Sequence, residues 1–204
     1  MSITPARFNS ITGFIIDNFE GGYFHQNMIR SGEIKDPHNY YATSGETFLG
    51  IDRKNFYSPS PSFAKFWQMI DNAGASTNWR YNYKGGSLYA PLKKLVGEFM
   101  QPIYENWMLK KLTPKARQII ESDDRLVFTF IYLVWNGSGW FNKFAAIMND
   151  KVAKGVTNPD ALVKAASDYR ISTGNAIMIK ANKEIMAVID QLKKKADPES
   201  GQAY

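Results

Sequence analysis

The first feature of this sequence that could do chemistry is a carboxylic acid set between an aromatic residue and two glycines, Phe19-Glu20-Gly21-Gly22-Tyr23. Upstream, Phe8, Ile11, Ile15 and Phe19 recur at three- and four-residue intervals, the pattern of one buried helical face. Thr4-Pro5 offers an N-cap followed by proline at the first helical position, and Gly21-Gly22 offers a stop. Glu20 is therefore expected in the last helical turn, where the helix dipole and the flanking Phe19 and Tyr23 favour its protonated form. A carboxyl that keeps its proton near neutral pH suits general acid catalysis. A solvated glutamate at a helix end is the plainer alternative, and spacing alone leaves both open.

A second stretch with chemical content is Ser44-Gly45-Glu46-Thr47-Phe48-Leu49-Gly50-Ile51-Asp52. Its loose alternation predicts a short strand or hairpin, and Gly45 and Gly50 permit close backbone approach by a ligand. Residues 24–43 are polar, aromatic and irregular, with His25, Asp36-Pro37, His38, Tyr40 and Tyr41 among them. A connection of that length often carries function. The two histidines have no third ligand patterned around them, so neither a metal nor any other cofactor is expected. Trp79, Tyr81 and Tyr83 fall in a polar segment over residues 72–87, where they would stack on sugar rings or anchor the loop to the core.

Helices must position these residues. Phe63, Phe66, Trp67 and Ile70 mark one; Leu92 to Trp107 marks a longer one with a kink expected at Pro102. Thr113-Pro114 and Asn158-Pro159 open two more, and Gly174 to Lys195 forms the last. Arg125 to Trp135 is apolar nearly all round, as in a helix at the centre of a bundle. The reading is a mainly α chain with one small β element near residues 45–57.

Composition narrows the function classes. An apolar fraction of 44% supports a packed core in a chain of 204 residues, and the absence of cysteine rules out disulfides and thiolate metal sites. A net charge of +6 favours an anionic partner. Basic residues are scattered, Lys193-Lys194-Lys195 being the only triple, so nucleic acid is not the expected partner. Arg7 and the short group Phe14-Ile15-Ile16, closed by Asp17, do not form a secretory signal, and Val127 to Trp135 is too short to span a bilayer. Synthesis in the cytoplasm without membrane insertion is expected, with another agent carrying the protein to any site of action outside.

Glu-Gly-Gly-Tyr at the end of a first helix, followed by the SGETFLGIDRKNF segment from Ser44 to Phe56, resembles glycoside hydrolase family 108. These are lysozyme-like N-acetylmuramidases of phages and bacteria. Phe99 to Tyr104 and the Arg125 to Gly139 segment resemble that family's C-terminal, peptidoglycan-binding half. The resemblance implies an α+β lysozyme-like fold, a helical bundle with a small β-hairpin beside the cleft. It assigns residues 1–95 to a catalytic lobe and 96–204 to a helical lobe, or both to one continuous domain.

It also implies roles. Glu20 becomes the proton donor, Thr47 the residue that helps hold the attacking water, and Asp36 a candidate to orient that water or stabilise the oxocarbenium-like transition state. Tyr23, Tyr40, Tyr41 and Phe48 become sugar-facing walls, with Glu46 beside them. The chain departs from the family in a longer connection from Glu20 to Thr47, where Asp36-Pro37 to Ser44-Gly45 replaces the usual Asp-Pro-x-Asp-x-Gly-Gly. Glu46 and Asp52 therefore compete with Asp36 for the second carboxylate.

The expected activity is hydrolysis of the β-1,4 bond between N-acetylmuramic acid and N-acetylglucosamine, with peptidoglycan strands as partner. Lytic transglycosylation and an inactive, wall-binding phage structural protein are the alternatives. Holin release, virion delivery and secretion are the routes to the wall that fit, with other phage virion or secretion-system proteins as further partners.

Overall fold

The computed structural model describes residues 3–20, 22, 24–25, 46–56, 58–73, 83–135 and 138–192. Among them are eight α-helices and one small antiparallel sheet, so the mainly helical reading with a β element holds. The chain gathers into two compact units. One is Thr12–Pro102; the other joins the chain up to Ile11 with the chain from Ile103 onward.

Helix α1, Pro5–Phe19, starts as the Thr4-Pro5 pair predicts, with the Thr4 hydroxyl accepting from the Arg7 amide at 3.3 Å. Phe8, Ile11 and Ile15 are fully buried along its predicted face. The helix ends at Phe19, so Glu20 is the first residue beyond it and not part of its last turn.

In the Thr12–Pro102 unit, strands β1 (Phe24–His25), β2 (Glu46–Phe48) and β3 (Ile51–Asp52) form a sheet in that order. The hairpin expected over residues 46–52 is β2 with β3. Strand β1, which joins it by pairing Phe24 with Thr47, falls in the stretch read from sequence as irregular; two residues are too few to carry a periodic signal.

The β2–β3 turn is Leu49-Gly50, and both residues have positive φ (50° and 73°). That is the handedness a two-residue hairpin turn needs to match strand twist. Glycine adopts it freely, whereas Leu49 pays a backbone cost that its complete burial offsets.

Helix α2 (Pro61–Ala73) and helix α3 (Tyr89–Ile103) hold the hairpin through aromatic packing. Phe48 lies 6.4 Å from Phe66, which meets Phe99 at 5.8 Å and Trp67 at 5.1 Å between ring centroids. Arg53, just past β3, ties the same elements from outside. Its guanidinium forks onto both oxygens of Asp71 in α2 at 2.8 and 2.6 Å, donates to Glu46 at 2.7 Å, and sits over the Trp67 ring at 5.1 Å. A lysine reaches one carboxylate at a time and lacks the planar fork. Arg53→Lys is expected to cost about 1 kcal/mol, read from the urea midpoint, the partial exposure of the pair keeping the effect modest.

The other unit is helical. Helices α4 (Pro114–Glu121), α5 (Asp124–Trp135), α6 (Ser138–Ala153), α7 (Pro159–Ser172) and α8 (Ala176–Val188) follow in order. Thr113 and Asn158 cap α4 and α7 with their side chains, as the Thr-Pro and Asn-Pro pairs predict. Residues 126 to 131 of α5 are all buried, which places its apolar sequence at the centre of the unit. Within this unit Arg7 binds Asp124 at 2.6 Å and the Glu121 carbonyl at 2.7 Å, and Phe8 packs on Tyr104. The helix expected to run to Trp107 ends at Ile103, one residue after Pro102, and a π turn over Tyr104–Met108 follows directly. Proline there supplies no amide hydrogen for the helical ladder.

Candidate functional site

Glu20 lies where α1 gives way to the strand-bearing segment. The residue is partly buried, and its carboxyl is hemmed in by protein atoms. Burial pushes its pKa up to about 8. A carboxylate taken out of water without a compensating cation loses its hydration, so the neutral acid is preferred. The helix dipole invoked from the sequence is not the cause; desolvation is. The conclusion reached from sequence, a protonated acid at neutral pH, stands for a different reason.

A set of polar residues holds the end of α1 around this acid. The Tyr83 hydroxyl, in the 3₁₀ turn Tyr83–Gly85, donates to the Glu20 carbonyl oxygen at 3.5 Å. The Tyr83 ring meets Phe48 edge-on at 5.7 Å and Tyr89 at 5.6 Å. One side chain thus touches both the Glu20 backbone and the strand that carries Thr47. Burial, then the charges of Asp17 and Glu20, raise the Tyr83 pKa, which keeps its hydroxyl a donor.

Asp17, in the last turn of α1, fastens this arrangement. Both its oxygens accept from the Lys93 ammonium at 2.7 Å, and one also accepts from the Tyr89 hydroxyl. Partial burial opposes ionisation of Asp17, but the bonds from Lys93 and Tyr89 win and hold its pKa below the ordinary carboxylate value. The Lys84 ammonium donates to the Asp17 carbonyl at 3.0 Å. Lys93 passes beside Gly13, one turn back on α1, where a Cβ would make only an ordinary contact, 3.5 Å from the Lys93 Cε.

Thr47 sits mid-strand in β2, paired with Phe24 on one side and Asp52 on the other. Strand alternation sends its side chain to the face opposite Phe48, and the residue is partly exposed. Phe48 faces inward and is fully buried, which corrects its assignment as a sugar-facing wall. Its work is to back the hairpin and the Tyr83 ring.

The competing acids are occupied. Glu46 is held by Arg53 at 2.7 Å. The Asp52 carboxylate accepts from the Lys54 amide, the Asn55 amide and the Asn55 side chain at 2.8 to 2.9 Å, closing the turn after β3. Neither offers a free carboxylate to a substrate. Asp36, Tyr23, Tyr40 and Tyr41 lie outside the described residues.

The sequence reading missed Asp17, Tyr89, Lys84 and Lys93. Asp17 is three residues before Glu20, in the last turn of the helix that Glu20 follows, which is a faint local signal. Its partners come from 67 to 76 residues away, and no spacing rule reaches them.

Among the described residues, no group of three or more His, Asp or Glu side chains is placed to hold a metal ion. No helix among them is long and apolar enough to cross a membrane. No protein-family model, curated protein or solved structure matches the chain.

Proposed function

We propose that this protein is a peptidoglycan hydrolase, a phage-type N-acetylmuramidase of lysozyme-like architecture related to glycoside hydrolase family 108. The observation that carries the reading is Glu20, an acid just past a helix end whose carboxyl meets no cation among the described residues, joined through Tyr83 to the strand of Thr47. In this mechanism protonated Glu20 gives its proton to the glycosidic oxygen between N-acetylmuramic acid and N-acetylglucosamine. The leaving sugar departs with the electron pair of the broken bond, and water positioned by the Thr47 hydroxyl attacks the oxocarbenium-like carbon, giving up its proton to the second carboxylate. Asp36 takes the role of second carboxylate. The reaction acts at the cell wall, reached by holin release, virion delivery or secretion.

A second reading is favoured by the occupation of Glu46 and Asp52. Lytic transglycosylation needs a single acid/base glutamate, because the muramic acid's own 6-hydroxyl replaces water. Mass analysis of fragments released from purified wall separates the two. Hydrolysis leaves reducing muramic acid ends, transglycosylation leaves 1,6-anhydro ends, and binding without any release of fragments contradicts both.

A further inference from the structure

Two lysines meet Asp17, three residues before Glu20. Lys93 is committed, since both Asp17 oxygens accept from its ammonium at 2.7 Å. Lys84 is different. Its ammonium is anchored on a backbone carbonyl, that of Asp17, at 3.0 Å, and lies 6.0 Å from the centre of the Tyr83 ring. A carbonyl fixes the ammonium in place but brings no formal negative charge. The cluster of Asp17, Lys84 and Lys93 therefore carries one net positive charge, and Lys84, an exposed residue, is where it meets solvent.

Capping an open carbonyl at a helix C-terminus is a common use of lysine. One such bond uses one of the three ammonium donors and leaves two for a ligand. The anchor residue, Asp17, is three positions before Glu20, in the last turn of the helix that Glu20 follows. The same Tyr83 ring that lies beside Lys84 presents its hydroxyl to the Glu20 backbone. A lysine fixed on the end of α1 is thus linked through Asp17 and Tyr83 to the backbone that carries the acid.

We propose that Lys84 is a substrate-recognition residue, its ammonium binding a carboxylate of the glycan strand as the strand lies across Glu20. This rests on the muramidase reading and adds to it a preference for anionic over neutral strands. A lysine positioned by one bond contributes a point charge, which recognises a carboxylate without demanding a fixed orientation.

The test is co-sedimentation with purified wall freed of phosphate-bearing polymers, using Glu20→Gln protein so that the wall is not consumed. Three wall preparations are compared: intact, with its carboxyls amidated by carbodiimide and methylamine, and stripped of stem peptides so that only the lactyl carboxyl remains. Amidation is expected to weaken binding about tenfold. Adding Lys84→Gln should weaken binding to intact wall by a similar factor and abolish the difference between intact and amidated wall; Lys84→Arg should restore it. In intact wall the lactyl carboxyl is amide-linked to the stem peptide, so the carboxylates that amidation removes are those of the stem. Lost binding to stripped strands restricts recognition to them, and retained binding shows that the newly exposed lactyl carboxyl also serves. If Lys84→Gln keeps the full preference for intact wall, the proposal is overturned while the muramidase reading stands. If the protein binds no wall preparation and the wild type releases no fragments, both fall together.

Discussion

Replacing Glu20 with glutamine is expected to slow cleavage of purified peptidoglycan about a thousandfold while the circular dichroism spectrum stays unchanged. A positioned proton donor contributes on the order of 10² to 10⁴ in rate, and glutamine keeps the shape and polarity of the side chain without a transferable proton. No described side chain pairs with the Glu20 carboxyl, so the exchange breaks no ion pair among the described residues. Tyr83 bonds the Glu20 backbone carbonyl, which the substitution leaves in place. Loss of activity in a folded protein therefore reports chemistry. A solvated glutamate at a helix end, with no part in catalysis, would leave the rate unaltered.

The same substitution should stabilise the fold, and only above about pH 4.5. Glu20 titrates at about 8 in the native protein against 4.5 when unfolded. Below 4.5 both states are protonated and there is no difference. Between the two values the native state holds a proton that the unfolded state has released, so stability falls as pH rises; above 8 the buried carboxylate is charged and the full penalty applies. A separation of that size corresponds to about 3–5 kcal/mol. Glu20→Gln removes the penalty. Its thermal midpoint is expected to match the wild type near pH 4.5 and to exceed it progressively up to pH 9, in parallel urea or heating series. Asp17 works in the opposite sense. Its pKa is held below the ordinary value, so its contribution is present above the unfolded value and is lost in acid. The two acids, three residues apart, are thus tuned in opposite directions by their surroundings, one by an ammonium and a phenol, the other by burial alone. An acid whose ionisation costs stability is the sort of strain that functional sites carry.

Much of this arrangement is legible in the sequence because it is local. The three- and four-residue spacing of Phe8, Ile11 and Ile15 fixes α1, and proline after threonine or asparagine marks the starts of α1, α4 and α7. Loose alternation marks the strand or hairpin over residues 46–52, in which Gly50, read as a place for ligand approach, instead shapes the turn. Pro102 announces the change of pitch after α3. Glu20 stands out because two glycines end a patterned helix beside it. What stays hidden depends on contacts between distant segments. Phe48 has the composition of a ligand-facing aromatic, and only its packing between Phe66 and Tyr83 shows that it faces inward. Glu46 and Asp52 look like spare acids until Arg53 and the turn amides are seen to occupy them. The origin of the Glu20 shift is hidden for the same reason. Helix dipole and burial both raise the proton affinity of a carboxyl, and sequence position suggests the first whereas the folded chain supplies the second.

The proton on Glu20 is most directly tested by the rate of peptidoglycan cleavage as a function of pH. The expected profile stays high through neutrality and falls above about pH 8 with the loss of a single proton, the residual rate of Glu20→Gln showing no such limb. A rate that falls with a midpoint near 4.5, the ordinary value for a glutamate, or a limb near 8 that persists in Glu20→Gln, would contradict the assignment of Glu20 as a buried general acid.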